Sequence, residues 1–91
     1  MSWIKDPDAI LDYTFNWSPW LNTGDSIQSG SFIITGQDSD LVQSGTDIKD
    51  RAAVVLLSGG TVGNIYSITS RIITVDGLKD DRTKTITISE R

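Results

Sequence analysis

The carboxylates of this chain come in close pairs: Asp6 with Asp8, Asp38 with Asp40, and Asp80 beside Asp81. Paired acids are the equipment of glycoside hydrolysis and of hard-cation binding. Hydrolysis needs two carboxyls facing each other across a cleft, which a small strand-rich chain rarely encloses, and Asp is also a natural loop residue. Calcium loops follow the pattern Asp-x-Asp-x-Asp-Gly with a distal Glu. Asp38-Ser39-Asp40 lacks that continuation, and the only Glu is Glu90. His and Cys are absent, which excludes a Ser-His-Asp triad, His-ligated zinc, thiolate chemistry and disulfides together. Gly59-Gly60-Thr61-Val62-Gly63 is glycine-rich like a phosphate loop, but neither a Lys nor a helix follows, so it reads as a turn between strands. The expectation is a chain with no catalytic residue, no metal site and no cofactor.

The remaining chemically capable residues are aromatic. Trp3, Trp17 and Trp20 could stack on sugars or pack against a partner. Trp17 closes the alternation Leu11, Tyr13, Phe15, Trp17, with Asp12, Thr14 and Asn16 between, and this is the period of a half-buried strand. One buried Trp removes about 200 Å² from water, worth up to roughly 5 kcal/mol before entropy is subtracted. Leu11, Tyr13, Phe15 and Trp17 are therefore expected to form one buried face, whereas Trp3 and Trp20 lie outside the periodic stretch.

At 91 residues there is room for one domain. Ser and Thr make 21 of the 91, and Ile, Val and Thr fill the periodic stretches, a composition that favours strands. The net charge is −4, with eight scattered basic residues, which argues against nucleic acid as a partner. No apolar run is long enough for a membrane span, and no basic segment followed by an apolar core opens the chain. A soluble protein made in a cytoplasm is expected.

Strands are expected over 11–17, 27–35, 52–57, 65–75 and 83–89, with a weak one near Leu41 and Val42 and a loop or single helical turn over 45–50. Short strands with turn signals every 8 to 14 residues fit an all-β chain, a single antiparallel β-sandwich of immunoglobulin or fibronectin type III-like form. Tyr66 follows the glycine-bearing corner and precedes Ile68 by two positions, so its hydroxyl is expected to bond backbone across that corner. The doublets Ile33-Ile34, Val54-Val55, Leu56-Leu57 and Ile72-Ile73 place aliphatic side chains on both faces of their strands. Either β-branched residues are tolerated outside, or a partner covers them. A homo-oligomer with Ile73 in the contact is the simplest form of the second reading.

Asp6-Pro7-Asp8-Ala9-Ile10-Leu11-Asp12-Tyr13 and Trp17-x-x-Trp20-Leu21 resemble a family of short fiber-tail adaptor proteins of tailed bacteriophages. So do Leu57-Ser58-Gly59-Gly60-Thr61-x-Gly63 with Tyr66, and Asp80-Asp81-Arg82 before the last strand. The resemblance covers both ends of the chain and leaves 36–51 unmatched. It implies a non-enzymatic virion protein made in the host cytoplasm. That protein would be an immunoglobulin-like, oligomeric adaptor joining fiber to tail or neck by contacts with other virion proteins. Residues 1–9 would then be an N-terminal arm and 10–91 the domain, with Trp3, Ile4, Pro7, Trp20 and Ile73 as candidate partner contacts. A glycan- or host-surface-binding module, using Trp3 or Trp20, is the alternative.

Overall fold

A computed structural model describes residues 2–90. It contains seven strands: β1 (Ser2–Lys5), β2 (Ile10–Asn16), β3 (Ile27–Thr35), β4 (Leu41–Ile48), β5 (Ala52–Gly59), β6 (Ile65–Thr74) and β7 (Lys79–Ile88). Four of them form one sheet in the order β1-β7-β6-β3, and three form a second in the order β2-β5-β4. The two sheets share one core, as in a sandwich. β6 alternates strictly, sending Tyr66, Ile68, Ser70, Ile72 and Thr74 inward, and β5 answers with Ala53, Val55 and Leu57. Alternation puts one member of three aliphatic doublets into the core: Val55, Leu57 and Ile72 are buried, while Val54, Leu56 and Ile73 lie half-exposed outside; in the fourth, Ile33 is exposed and Ile34 half-buried against the core.

Three expectations need correction. The sandwich is not antiparallel throughout, because β1 runs parallel to β7 with Trp3 opposite Ile86 and Lys5 opposite Ile88. β1 can do this because residues 6–9 form the crossover to β2 in the other sheet. Asp6 shapes it by accepting the Asp8 amide on Oδ1 (2.8 Å) and the Ala9 amide on its carbonyl (3.1 Å). The stretch 41–48, expected as a fragment of strand followed by loop or helical turn, is one strand paired with β5 and bulged between Gln43 and Gly45. Leu11, placed on the buried face of β2, is 39% exposed. Burial deepens along β2 from Leu11 through half-buried Tyr13 to Phe15 and Trp17, both fully enclosed.

Two polar clasps tie the loops together. At the end where residues 36–40 and 60–64 meet, the Tyr66 hydroxyl accepts the Thr61 amide (3.1 Å) and donates to Asp38 Oδ1 (2.5 Å). Asn64 Nδ2 donates to Asp38 Oδ2 (2.9 Å), and the Thr61 hydroxyl donates to Asp40 Oδ2 (2.7 Å). Chiefly because Tyr66 donates to it, Asp38 is held below the ordinary carboxylate range. Gly59 sits in this clasp at φ +78°, and a Cβ there would stand 2.3 Å from the Asp40 carbonyl oxygen.

At the opposite end Asp25 is buried, and its Oδ1 accepts the amides of Ser26 (2.8 Å) and Asp76 (3.2 Å). Burial pushes this carboxyl up, but the Thr74 hydroxyl, those amides and the Arg51 charge outweigh it, so its pKa is lowered. A depressed folded-state pKa means the stabilisation is complete above the unfolded value of about 3.9 and disappears as pH falls through the folded value. The melting temperature should therefore drop on acidification through that window. Asp25→Asn should show a shallower drop in calorimetric scans, and an unchanged profile would reject the assignment.

Candidate interaction surfaces

The acid pairs of the sequence are engaged within the chain. Asp6 shapes a turn, Asp38 and Asp40 serve the Tyr66 clasp, and Asp81 receives both Nε and Nη2 of Arg71 at 2.9 and 3.1 Å. Among the described residues no three His, Cys, Asp or Glu side chains gather as metal ligands. The remaining features of the surface are apolar side chains, aromatic rings and strand edges.

The five candidate contacts do not converge. Ile4 is 52% exposed on the outer side of β1, and Pro7 is half-buried in the crossover. Ile73 lies half-buried on the outer face of β6, beside a shallow hollow bounded by Arg71, Lys79, Asp80 and Asp81. Trp3 points inward and lies 4.6 Å from Tyr13 and 5.3 Å from Phe15 between ring centroids, with Lys84 Nζ 4.9 Å above it. Trp20 stands edge-on to Trp17 at 5.4 Å, near the opposite end from Pro7.

The motif residues are occupied inside their own chain. Trp17 Nε1 donates to Ser70 Oγ across the core (3.2 Å), Arg82 covers the Trp17 ring at 4.6 Å, and Trp17 C=O accepts the amides of Trp20 and Leu21. Lys5 is fully buried, donating from Nζ to the carbonyls of Gly59 (2.7 Å) and Asp6 (2.8 Å), and burial lowers its pKa. That ammonium fastens β1 to the end of β5. Sequence reasoning missed Lys5, since a lone Lys gives no signal of burial.

Exposed aliphatics lie mostly outside the motifs. Val42 and Val62 are about half exposed, at 47% and 49%, and Ile65 is 58% exposed. Together with Ile4 and Ile10 they surround the end that carries the Tyr66 clasp. Only their exposure could have marked them, and exposure is not readable from a doublet or a lone Val.

Two surfaces thus remain for recognition: the apolar margin at the clasp end and the outer faces of the sheets. No curated protein sequence matches the chain. Residues 5–87, which include the crossover, both Trp17 and Trp20, the glycine corner and the Asp80-Asp81-Arg82 stretch, match one family model, and the chain belongs to that family, described as podophage GP4 fiber-tail adaptor protein gp77.

Proposed function

We propose that the protein is a non-enzymatic component of the phage virion, made in the host cytoplasm, that joins fiber to tail or neck through protein–protein contacts. The family match over residues 5–87 carries this reading, since the family is one of structural adaptors. An immunoglobulin-like form is supported by two features. The orders β2-β5-β4 and β3-β6-β7 match strands B-E-D and C-F-G of that fold, with β1 joined to β7 instead of β2, and a tyrosine at the start of the sixth strand bonds the backbone at its corner. In this reading 10–91 is the domain, and 1–9 is an arm laid along β7 by strand β1. Cryo-microscopy of purified virions tests the role: density for the sandwich at a fiber junction is expected, and particles lacking the protein would overturn it.

The adaptor acts as an oligomer in this proposal, supported by the outward members of the aliphatic doublets. Ile73→Asp should dissociate the assembly in sedimentation runs while the monomer keeps its circular dichroism, because Ile73 is half-exposed and the core lies on the other side of β6. A monomeric wild type would remove the basis for the proposal. Glycan binding through Trp3 or Trp20 gains no support from the geometry, as both rings already pack on neighbours of their own chain.

A further inference from the structure

The two long sides of the sandwich are finished differently. On the side where β1 and β7 face β2, the gap is filled. Trp3, Tyr13 and Phe15 stack there, Lys84 Nζ lies 4.9 Å above Trp3 and 5.0 Å above Phe15, and Arg82 lies over Trp17 and donates to Asn16 C=O (3.0 Å). Among the described residues β1 pairs only with residues 85–88, so the outer edge of β7 has no strand beside it from Lys79 to Lys84. Inward-pointing charges such as Arg82 and Lys84 are a recognised protection for a bare edge.

The side between β3 and β4 lacks such a plug. β3 spans nine residues, Ile27–Thr35, with no charge and no proline, and it pairs only with β6. Its other edge is satisfied at two points. Ile27 N–H donates to Asp50 C=O (2.8 Å), and Gln43 Nε2 donates to Phe32 C=O (3.2 Å). From Ile33 to Thr35 no main-chain partner faces that edge among the described residues. The other edges are blunted: β1 is four residues long, β2 carries Asp12 and receives Arg82, and β4 has its bulge and Asp47. A long uncharged edge is what proteins ordinarily avoid leaving open.

Beside this bare stretch lies an open cleft of about 550 Å³ between the end of β3 and the start of β4, lined by Ile34, Leu41 and Val42 together with the polar Thr35, Ser39 and Gln43, with Asp38 also lining it. Hydrogen-bonding strand edges, apolar side chains and a carboxylate held ionised in the lining are the parts of a strand-addition site.

We propose that this cleft receives an extended segment of another polypeptide. The segment adds to the edge of β3, sets an apolar side chain against Ile34 and Leu41, and brings a basic residue to Asp38. The inference deepens the adaptor reading and rests on it for the identity of the partner as a virion protein. A second copy of this chain fits less well, because β3 has no basic residue to offer Asp38 and each copy carries a net charge of −4.

The probe is a blocked nine-residue peptide of alternating Val and Thr with Lys at both ends, titrated into isotope-labelled protein and followed by NMR. Shift changes confined to residues 33–43 are expected. They should disappear when alternate peptide amides are N-methylated, since the main chain makes the bonds, and binding should weaken about tenfold in Val42→Lys, which sets a cation in the wall. Three results would overturn the proposal: no binding at millimolar peptide, shifts along β7 or β2, or concentration-dependent broadening of β3 without peptide, which would assign the edge to self-pairing. Loss of peptide binding by a protein still found in virions condemns the cleft alone, whereas absence from virions condemns the adaptor reading.

Discussion

Trp17→Ala should cost about 3–5 kcal/mol of folding free energy, a large share of the roughly 5–15 kcal/mol that holds a small domain together. The side chain is fully buried, and three neighbours depend on it: Ser70 loses its indole donor, Trp20 its perpendicular partner and Arg82 the ring it covers. The cavity would lie between the sheets, where strands fixed by their ladders on both sides cannot collapse into it. At this size the loss corresponds to a fall in melting temperature of at least roughly 10 °C. Trp17→Phe keeps most of the apolar area and gives up the hydrogen bond, so it should cost much less. Denaturant unfolding of both variants checks the assignment; a Trp17→Ala cost near 1 kcal/mol would mean that the ring does not anchor the core.

Gly59→Ala should be the most damaging conservative substitution, at about 2–5 kcal/mol, because two penalties coincide. The residue sits at φ +78°, where an L side chain is strained, and the new Cβ would stand 2.3 Å from the carbonyl oxygen of Asp40. That oxygen belongs to the backbone and already accepts the Gly60 amide at 3.1 Å, so it cannot swing aside without opening the clasp. Gly77→Ala separates the two penalties. Its φ is +90°, yet nothing lies within 4 Å of a Cβ there, so only the conformational strain of about 1 kcal/mol remains. Equal costs for the two variants, measured by equilibrium unfolding, would show that the contact with Asp40 is irrelevant.

Much of the sandwich was legible because its signals are local. Doublets such as Val54-Val55 and Ile72-Ile73 sit in strands whose alternation sends one member inward, and Asp76-Gly77 lies in the turn between β6 and β7. The elements that escaped are those whose inward positions are not apolar. β1 presents Trp3 and Lys5 to the interior, and a lysine there reads as solvent-facing until the Gly59 and Asp6 carbonyls are seen to receive it. β4 buries only Leu41 fully, and its bulge shifts the register between Gln43 and Gly45, which erases the period of two. Arg82 and Lys84 gave no signal either, since charges that alternate along a strand are those of a wet face, whereas these two lie over Trp17, Trp3 and Phe15.

The candidate surfaces were less legible than the fold for a related reason. Trp3, Pro7 and Trp20 stood out in the sequence because core demand did not require them, yet all three are half-buried against their own chain. The cleft between β3 and β4 has no motif, since main-chain edges carry no sequence code. It lies between β3, which was expected as a strand, and the stretch 36–51, where neither periodicity nor resemblance said much.

The parallel pairing of β1 with β7 has a mechanical side. The two strands run the same way, so the chain enters the sheet toward one end and leaves it at the other. Tension applied between those two points pulls β1 and β7 past each other lengthwise, loading all their ladder bonds at once, whereas an antiparallel edge hairpin would open one bond at a time. Lys5, clamped by two carbonyls at the top of β1, is the last restraint along that line. Wherever the chain is pulled along that line, this edge meets the tension as shear.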